Sequence, residues 1–139
     1  MGEYVPAIAS CLNYGALCEW HFGEIATCHA LRDEGVSVAK ELKDMNALAQ
    51  TLSFAAVLAY FERDPAQVDR FATEVIELST RHNFVWWLAQ AESYRGWALS
   101  VSGNPAEGIP WIEQGIRDIR ATGTVLGVPG PLARKAGAL

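Results

Sequence analysis

Displaced by 40 residues, the chain aligns with itself. Ile25-Ala26, Pro65-Ala66 and Pro105-Ala106 fall in register, as do Tyr14, Phe54 and Tyr94, followed two places on by Ala16, Ala56 and Gly96. A break precedes each copy of the dipeptide: Phe22-Gly23-Glu24, Arg63-Asp64 and Ser102-Gly103-Asn104. A fixed period between about 20 and 50 residues is the signature of one supersecondary unit copied and stacked. Stacked units touch only their neighbours and present extended surfaces, so an array of this kind is expected to bind rather than react.

Helical spacing fills each unit. Over 65–82 the sequence Val68, Phe71, Ala72, Val75, Ile76, Ser79 repeats at three- and four-residue steps, and Ile109, Ile112, Ile116 and Ile119 do so over 105–122. In 25–42 the stripe is Cys28, Leu31, Gly35, Val38 and Leu42. Asp64-Pro65 and Asn104-Pro105 each supply an N-cap followed by proline at the first helical position, where its missing N–H has no intrahelical partner. Asn104 with Glu107 approximates a capping box. Gly23, His82-Asn83, Gly103 and Gly123 read as stops. These signals predict six helices, roughly 6–22, 25–42, 46–62, 65–82, 85–102 and 105–122, paired by short turns into antiparallel hairpins. The segment 124–139 reads as a turn and the start of a seventh helix.

The expected fold is therefore all-α: one domain over 1–139, with three helix-turn-helix repeats at about 6–42, 46–82 and 85–122 in a right-handed superhelical stack. A partial seventh helix follows. An unfinished last face would leave apolar surface open, so either self-association through the repeat ends or a longer parent chain is expected.

Bulk properties narrow the function. Half of the 139 residues are apolar and 19% are charged, enough for a core. The net charge of −5 argues against nucleic acid and against an anionic membrane surface. No long apolar run predicts a membrane span, and Met1-Gly-Glu-Tyr-Val-Pro6 lacks the pattern of a secretory leader. Cys11, Cys18 and Cys28 are an odd set, read as reduced thiols in a cytoplasmic protein.

The repeat resembles a tetratricopeptide-type hairpin. That family places small residues where its two helices cross, because a side chain there pushes the backbones apart. Ala16, Ala56 and Gly96 match the first such slot, Cys28, Val68 and Gly108 the second, and Gly35, Val75 and Gly115 the third. The two valines imply a wider crossing in the second unit, and the period exceeds the family's usual 34 residues. His82-Asn-Phe-Val-Trp-Trp87, Tyr94-Arg-Gly-Trp-Ala-Leu99, Glu107-Gly-Ile109 and Ala121-Thr-Gly123 are similar to the long C-terminal repeats of bacterial signalling and transcriptional regulators, which join cyclase-like or DNA-binding output domains to an ATPase module. Neither module is here, and no phosphate-binding glycine motif occurs. No cofactor is expected.

Cys18, His21, Cys28 and His29 have metal-ligand chemistry. Cys28 and His29 are adjacent on a helix and diverge by about 100°, so packing and surface roles are expected instead, with no metal. Cys18 and His21 could touch, but no third polar group completes a nucleophilic site, and the chain is read as non-catalytic. Trp111 is expected in the inter-repeat core, and Trp86 and Trp87 cannot share one face.

The resemblance puts the first helix of each hairpin on the concave side. With Ala16, Ala56 and Gly96 as reference, the groove positions become Asn13, Leu17, Trp20 and His21, then Gln50, Ser53, Val57 and Tyr60, then Gln90, Ser93, Trp97 and Ser100. The binding set is Asn13, Trp20, Gln50, Ser53, Tyr60, Gln90, Ser93 and Trp97. Uncharged hydrogen-bonding residues beside aromatics suit a peptide or partner domain. They also suit a small molecule in a sensor segment.

Overall fold

The computed structural model describes residues 5–124 and 129–138. Seven helices follow one another: α1 Val5–His21, α2 Ile25–Glu41, α3 Met45–Phe61, α4 Pro65–His82, α5 Val85–Val101, α6 Pro105–Ala121 and α7 Pro129–Ala138. There is no strand among the described residues. The first six helices match the expected ranges to within one residue at each end. The small excess arises because Leu42, Glu62, Ser102 and Thr122 are C-caps, half in and half out of their helices.

Local chemistry sets these boundaries. The Asp44, Asp64 and Asn104 side chains accept from the third amide of α3, α4 and α6, at Ala47 (3.0 Å), Gln67 (3.2 Å) and Glu107 (3.3 Å). The Asn104 amide also donates to Glu107 Oε2 at 2.7 Å, closing the box from the side chain. Exits are more regular than entries. Gly23, Lys43, Arg63, Asn83, Gly103 and Gly123 all have positive φ, at 20-residue steps. The following amide reaches back five residues at five of these exits, as with Glu24 to Glu19 O (2.8 Å) and Asp64 to Ala59 O (3.0 Å). Each left-handed residue reverses the chain in three positions.

The helices form three antiparallel hairpins, α1–α2, α3–α4 and α5–α6, stacked side by side, with α7 against α5 and α6. Successive first helices touch: α1 with α3, α3 with α5, α5 with α7. The second helices α2, α4 and α6 make no close backbone approach to one another among the described residues, although side chains bridge α2 and α4, with the Arg32 guanidinium 5.7 Å from the Phe71 ring centre. The stack therefore closes on the odd-numbered side and opens on the even-numbered side. Bonds record the translation. Gln50 Nε2 donates to Ser10 Oγ (2.9 Å), Trp87 Nε1 to Asn46 Oδ1 (3.3 Å), and Arg134 Nε to Ser93 Oγ (3.1 Å). Each partner lies 40 or 41 residues from the other, so sequence period and spatial step are the same quantity.

The main core runs through α3, α4 and α5, with Leu52, Ala55, Ala56, Val68, Phe71, Val75, Tyr94 and Trp97 among its buried members. Crossing distance follows the small-residue slots. α5 and α6 pack most intimately of all pairs. A Cβ at Gly96 would strike the Gly108 carbonyl, and one at Gly115 would lie 2.7 Å from the Ala89 carbonyl. Val68 and Val75 fill the same slots in α4, fully buried, and α3–α4 packs less closely. Trp111 departs from expectation. It is half-buried on α6 with the Arg95 guanidinium 4.9 Å from its ring centre, and Ile112 takes the core position instead. The C-terminal face is not left open, since α7 covers it. At the other end Ile8, Tyr14, Phe22 and Ile25 remain exposed.

Candidate functional site

The odd-numbered helices present the face on which the expected binding residues fall, but the structure turns several of them inward. Asn13 is only 2% exposed and faces Gly35 of α2. Its side-chain nitrogen has no hydrogen-bond partner among the described residues. Ser53 Oγ donates to the Ala49 carbonyl (2.7 Å), Ser93 Oγ to the Gln90 carbonyl (2.8 Å) and Ser100 Oγ to the Gly96 carbonyl (2.8 Å). All three serines are buried. Hydroxyls satisfied by their own helix behave as alanine-sized packing groups. The Asn13–Ser53–Ser93 column thus lies in the hairpin seams instead of lining an open hydrogen-bonding groove. Trp97 is likewise buried, edge-on to Tyr60 at 4.8 Å.

Trp20, Gln50, Tyr60 and Gln90 are half-buried. Trp20 packs on Phe61 at 5.2 Å, and Gln50 is spent on Ser10. The surface between α1 and α3 belongs to the next residue along, the exposed Tyr14 and the half-buried Phe54, while Tyr94 in the same column on α5 is buried. Tyr14 is 61% exposed and meets Phe54 edge to face, with centroids 5.3 Å apart. Phe54, Val57, Trp86, Trp87, Gln90 and Tyr94, with Ser53 at the rim, enclose a cleft of about 140 Å³ between α3 and α5. No charged residue lines it among the described residues. Trp86 and Trp87 diverge as expected, yet both reach this cleft, because Trp87 is anchored to Asn46 across the α3–α5 seam.

Cleft volume bears on the two ligand classes considered. Small-molecule pockets run from about 300 to 1,000 Å³, so this cleft has room for one side chain and not for a cofactor. A larger depression, about 480 Å³, is bordered by Glu107, Pro110, Trp111, Gln114 and Arg117. All five belong to α6, so it is a shallow trough along a single helix.

The four residues with metal-ligand chemistry stay apart in role. Cys18 and His21 are exposed, Cys28 is fully buried, and burial pushes its thiol above the ordinary range. His29 Nε2 meets Glu62 Oε1 at 2.8 Å. No group of three or more potential ligands converges among the described residues.

Two groups escaped sequence reasoning. Glu92, 6% exposed, occupies the register position of Leu12 and Leu52. Burial and the neighbouring Asp118 carboxylate raise its pKa to about 8. Arg134, 4% exposed, occupies the position of Tyr14, Phe54 and Tyr94. Both stand out in the 40-residue register: Glu92 interrupts an apolar column, and Arg134 falls in an aromatic column one step past the third unit. No family model matches the chain, and no curated protein sequence matches it.

Proposed function

We propose that this chain is a non-catalytic interaction module that captures a peptide or partner domain on the face shared by α1, α3 and α5. The observation that carries the reading is the uncharged aromatic cleft of Phe54, Val57, Trp86, Trp87, Gln90 and Tyr94, continuous with the exposed Tyr14. Aromatic side chains that are rigid and partly wet are the usual anchors of protein contacts. A cleft of one side chain's volume fits a residue-by-residue partner better than a free ligand. The likeness to tetratricopeptide hairpins of bacterial regulators supports a signalling role in the cytoplasm.

Selection from a random-peptide display library tests the reading. Enriched peptides should carry an aromatic or branched aliphatic residue. Phe54→Ala with Trp86→Ala should weaken them at least about tenfold while circular dichroism stays unchanged. Failure to enrich any peptide, or equal binding by the double variant, would overturn it.

A further inference from the structure

Arg134 is buried with no carboxylate partner among the described residues. The ion pairs among the described residues are His29–Glu62, Arg32–Asp33, Arg95–Asp69 and Lys135–Glu113, and none includes it. Its guanidinium carbon lies 3.9 Å from the Tyr94 ring centre and 5.8 Å from that of Tyr60. Its Nε donates to Ser93 Oγ at 3.1 Å. Tyr60 stands edge-on to both Tyr94 (5.6 Å) and Trp97 (4.8 Å), so the rings brace one another independently of α7. Gly130 leaves the space into which the guanidinium folds, since a Cβ there would lie 3.2 Å from Nη2.

Buried charges are ordinarily paired. Here aromatic faces and one hydroxyl replace the counterion, which is the construction of a cation receptor. The helix that delivers the cation is otherwise poorly held. Among the described residues of α7 only Pro131 and Arg134 are buried, and Leu132 is exposed. Ten residues containing two glycines are too few to be helical alone. The adjacent Lys135 meets Glu113 at 3.0 Å on the half-exposed rim. The site therefore reads two successive basic residues, one in an aromatic cage and one on a carboxylate.

We propose that Tyr60, Tyr94 and Ser93, braced by Trp97 and with Glu113 beside them, form a receptor for an arginine-lysine pair, occupied in cis by Arg134 and Lys135 and open to a basic partner segment that displaces α7. The partner chemistry is a basic, helix-forming peptide, which the chain's net charge of −5 also favours. The proposal rests on the interaction-module reading for the existence of a partner. The exchange itself needs none.

The test uses the full chain carrying Arg134→Ala and two synthetic peptides of the α7 sequence, one with arginine and one with the uncharged isostere citrulline at that position. Ring resonances of Tyr60 and Tyr94 report binding. The arginine peptide should bind the variant at about 1 mM or below, roughly tenfold tighter than the citrulline peptide and roughly tenfold tighter than it binds the native chain. Equal binding of both peptides, or no binding by either, overturns the proposal. Should the variant not fold, the native chain serves. Excess arginine peptide should speed amide exchange at residues 130–138, and the citrulline peptide should not; unchanged exchange overturns the proposal. Phe54→Ala with Trp86→Ala should leave this exchange intact, which separates failure of the cage from failure of the cleft.

Discussion

Glu92 gives the sharpest physical prediction. Its carboxyl is buried on α5, and Oε2 has no hydrogen-bond partner among the described residues. Across the α5–α6 seam, Asp118 accepts from Gln114 Nε2 at 2.8 Å, and Gln114 accepts in turn from Arg117 Nη2 at 2.7 Å. This relay fixes a second carboxyl against the first. Burial foremost, then the contact with Asp118, moves Glu92 from its ordinary 4.5 to about 8. The folded state therefore keeps a proton that the unfolded chain releases. The associated stability is complete below about pH 4.5, falls as pH rises, and is gone above about pH 8. The slope for one proton is about 1.4 kcal/mol per pH unit, so the full window amounts to about 5 kcal/mol. Relaxation of the seam and water entry at its rim bring this down toward about 2–3 kcal/mol.

Glu92→Gln removes the titration and keeps the shape. Urea unfolding followed by far-UV circular dichroism, at constant ionic strength from about pH 5 to about pH 9, measures both chains. The variant's advantage should grow through the window and then level off. A constant difference between the two chains, or one that shrinks as pH rises, refutes the reasoning. Glu92→Leu restores the residue found at positions 12 and 52 and should be the more stable protein at pH 8 by a similar amount.

Other expectations follow from packing and turn geometry. Gly108→Ala forces a Cβ into the Gly96 carbonyl and the Ser100 side chain. It should cost about 3 kcal/mol or more, read as a lowered denaturation midpoint. Lys43 and Arg63 occupy left-handed positions filled by glycine at 23, 103 and 123, so Lys43→Gly and Arg63→Gly should each stabilise by up to about 1 kcal/mol. Gly23 serves as a control: Gly23→Ala should destabilise through strain alone, by about 1 kcal/mol, because nothing among the described residues lies near its Cβ.

Much of the architecture was legible because its signals are local. Asp64-Pro65 and Asn104-Pro105 announce helix starts by capping chemistry, and the 40-residue register announces the stack. Facing was harder to read. Ser53, Ser93 and Ser100 look like surface on a polarity scale, yet a serine that bonds its own helix is the size of an alanine and packs like one. Asn13 is buried against Gly35, a contact that spacing within one helix does not reveal. The true surface column, Tyr14 and Phe54, reads as core by composition. Its neighbour Tyr94 does enter the core, because Arg134 lies over it. A polar residue inside and an aromatic outside both run against binary patterning, and only the tertiary stack decides between them.

Each hairpin gains its partners from the one before or after it, and the gains are unequal. α5 carries nine buried residues and sits between α3, α4, α6 and α7. α1, with no hairpin before it among the described residues, buries only Asn13 and Ala16 of those whose side chains are described. Burial peaks at α3, with ten buried residues, and α5, and falls away at both α1 and α7, so the array should loosen from its outer helices inward. Cleft and cage both draw their walls from the well-buried middle helices α3 and α5, so a partner would grip the part of the molecule that is slowest to let go.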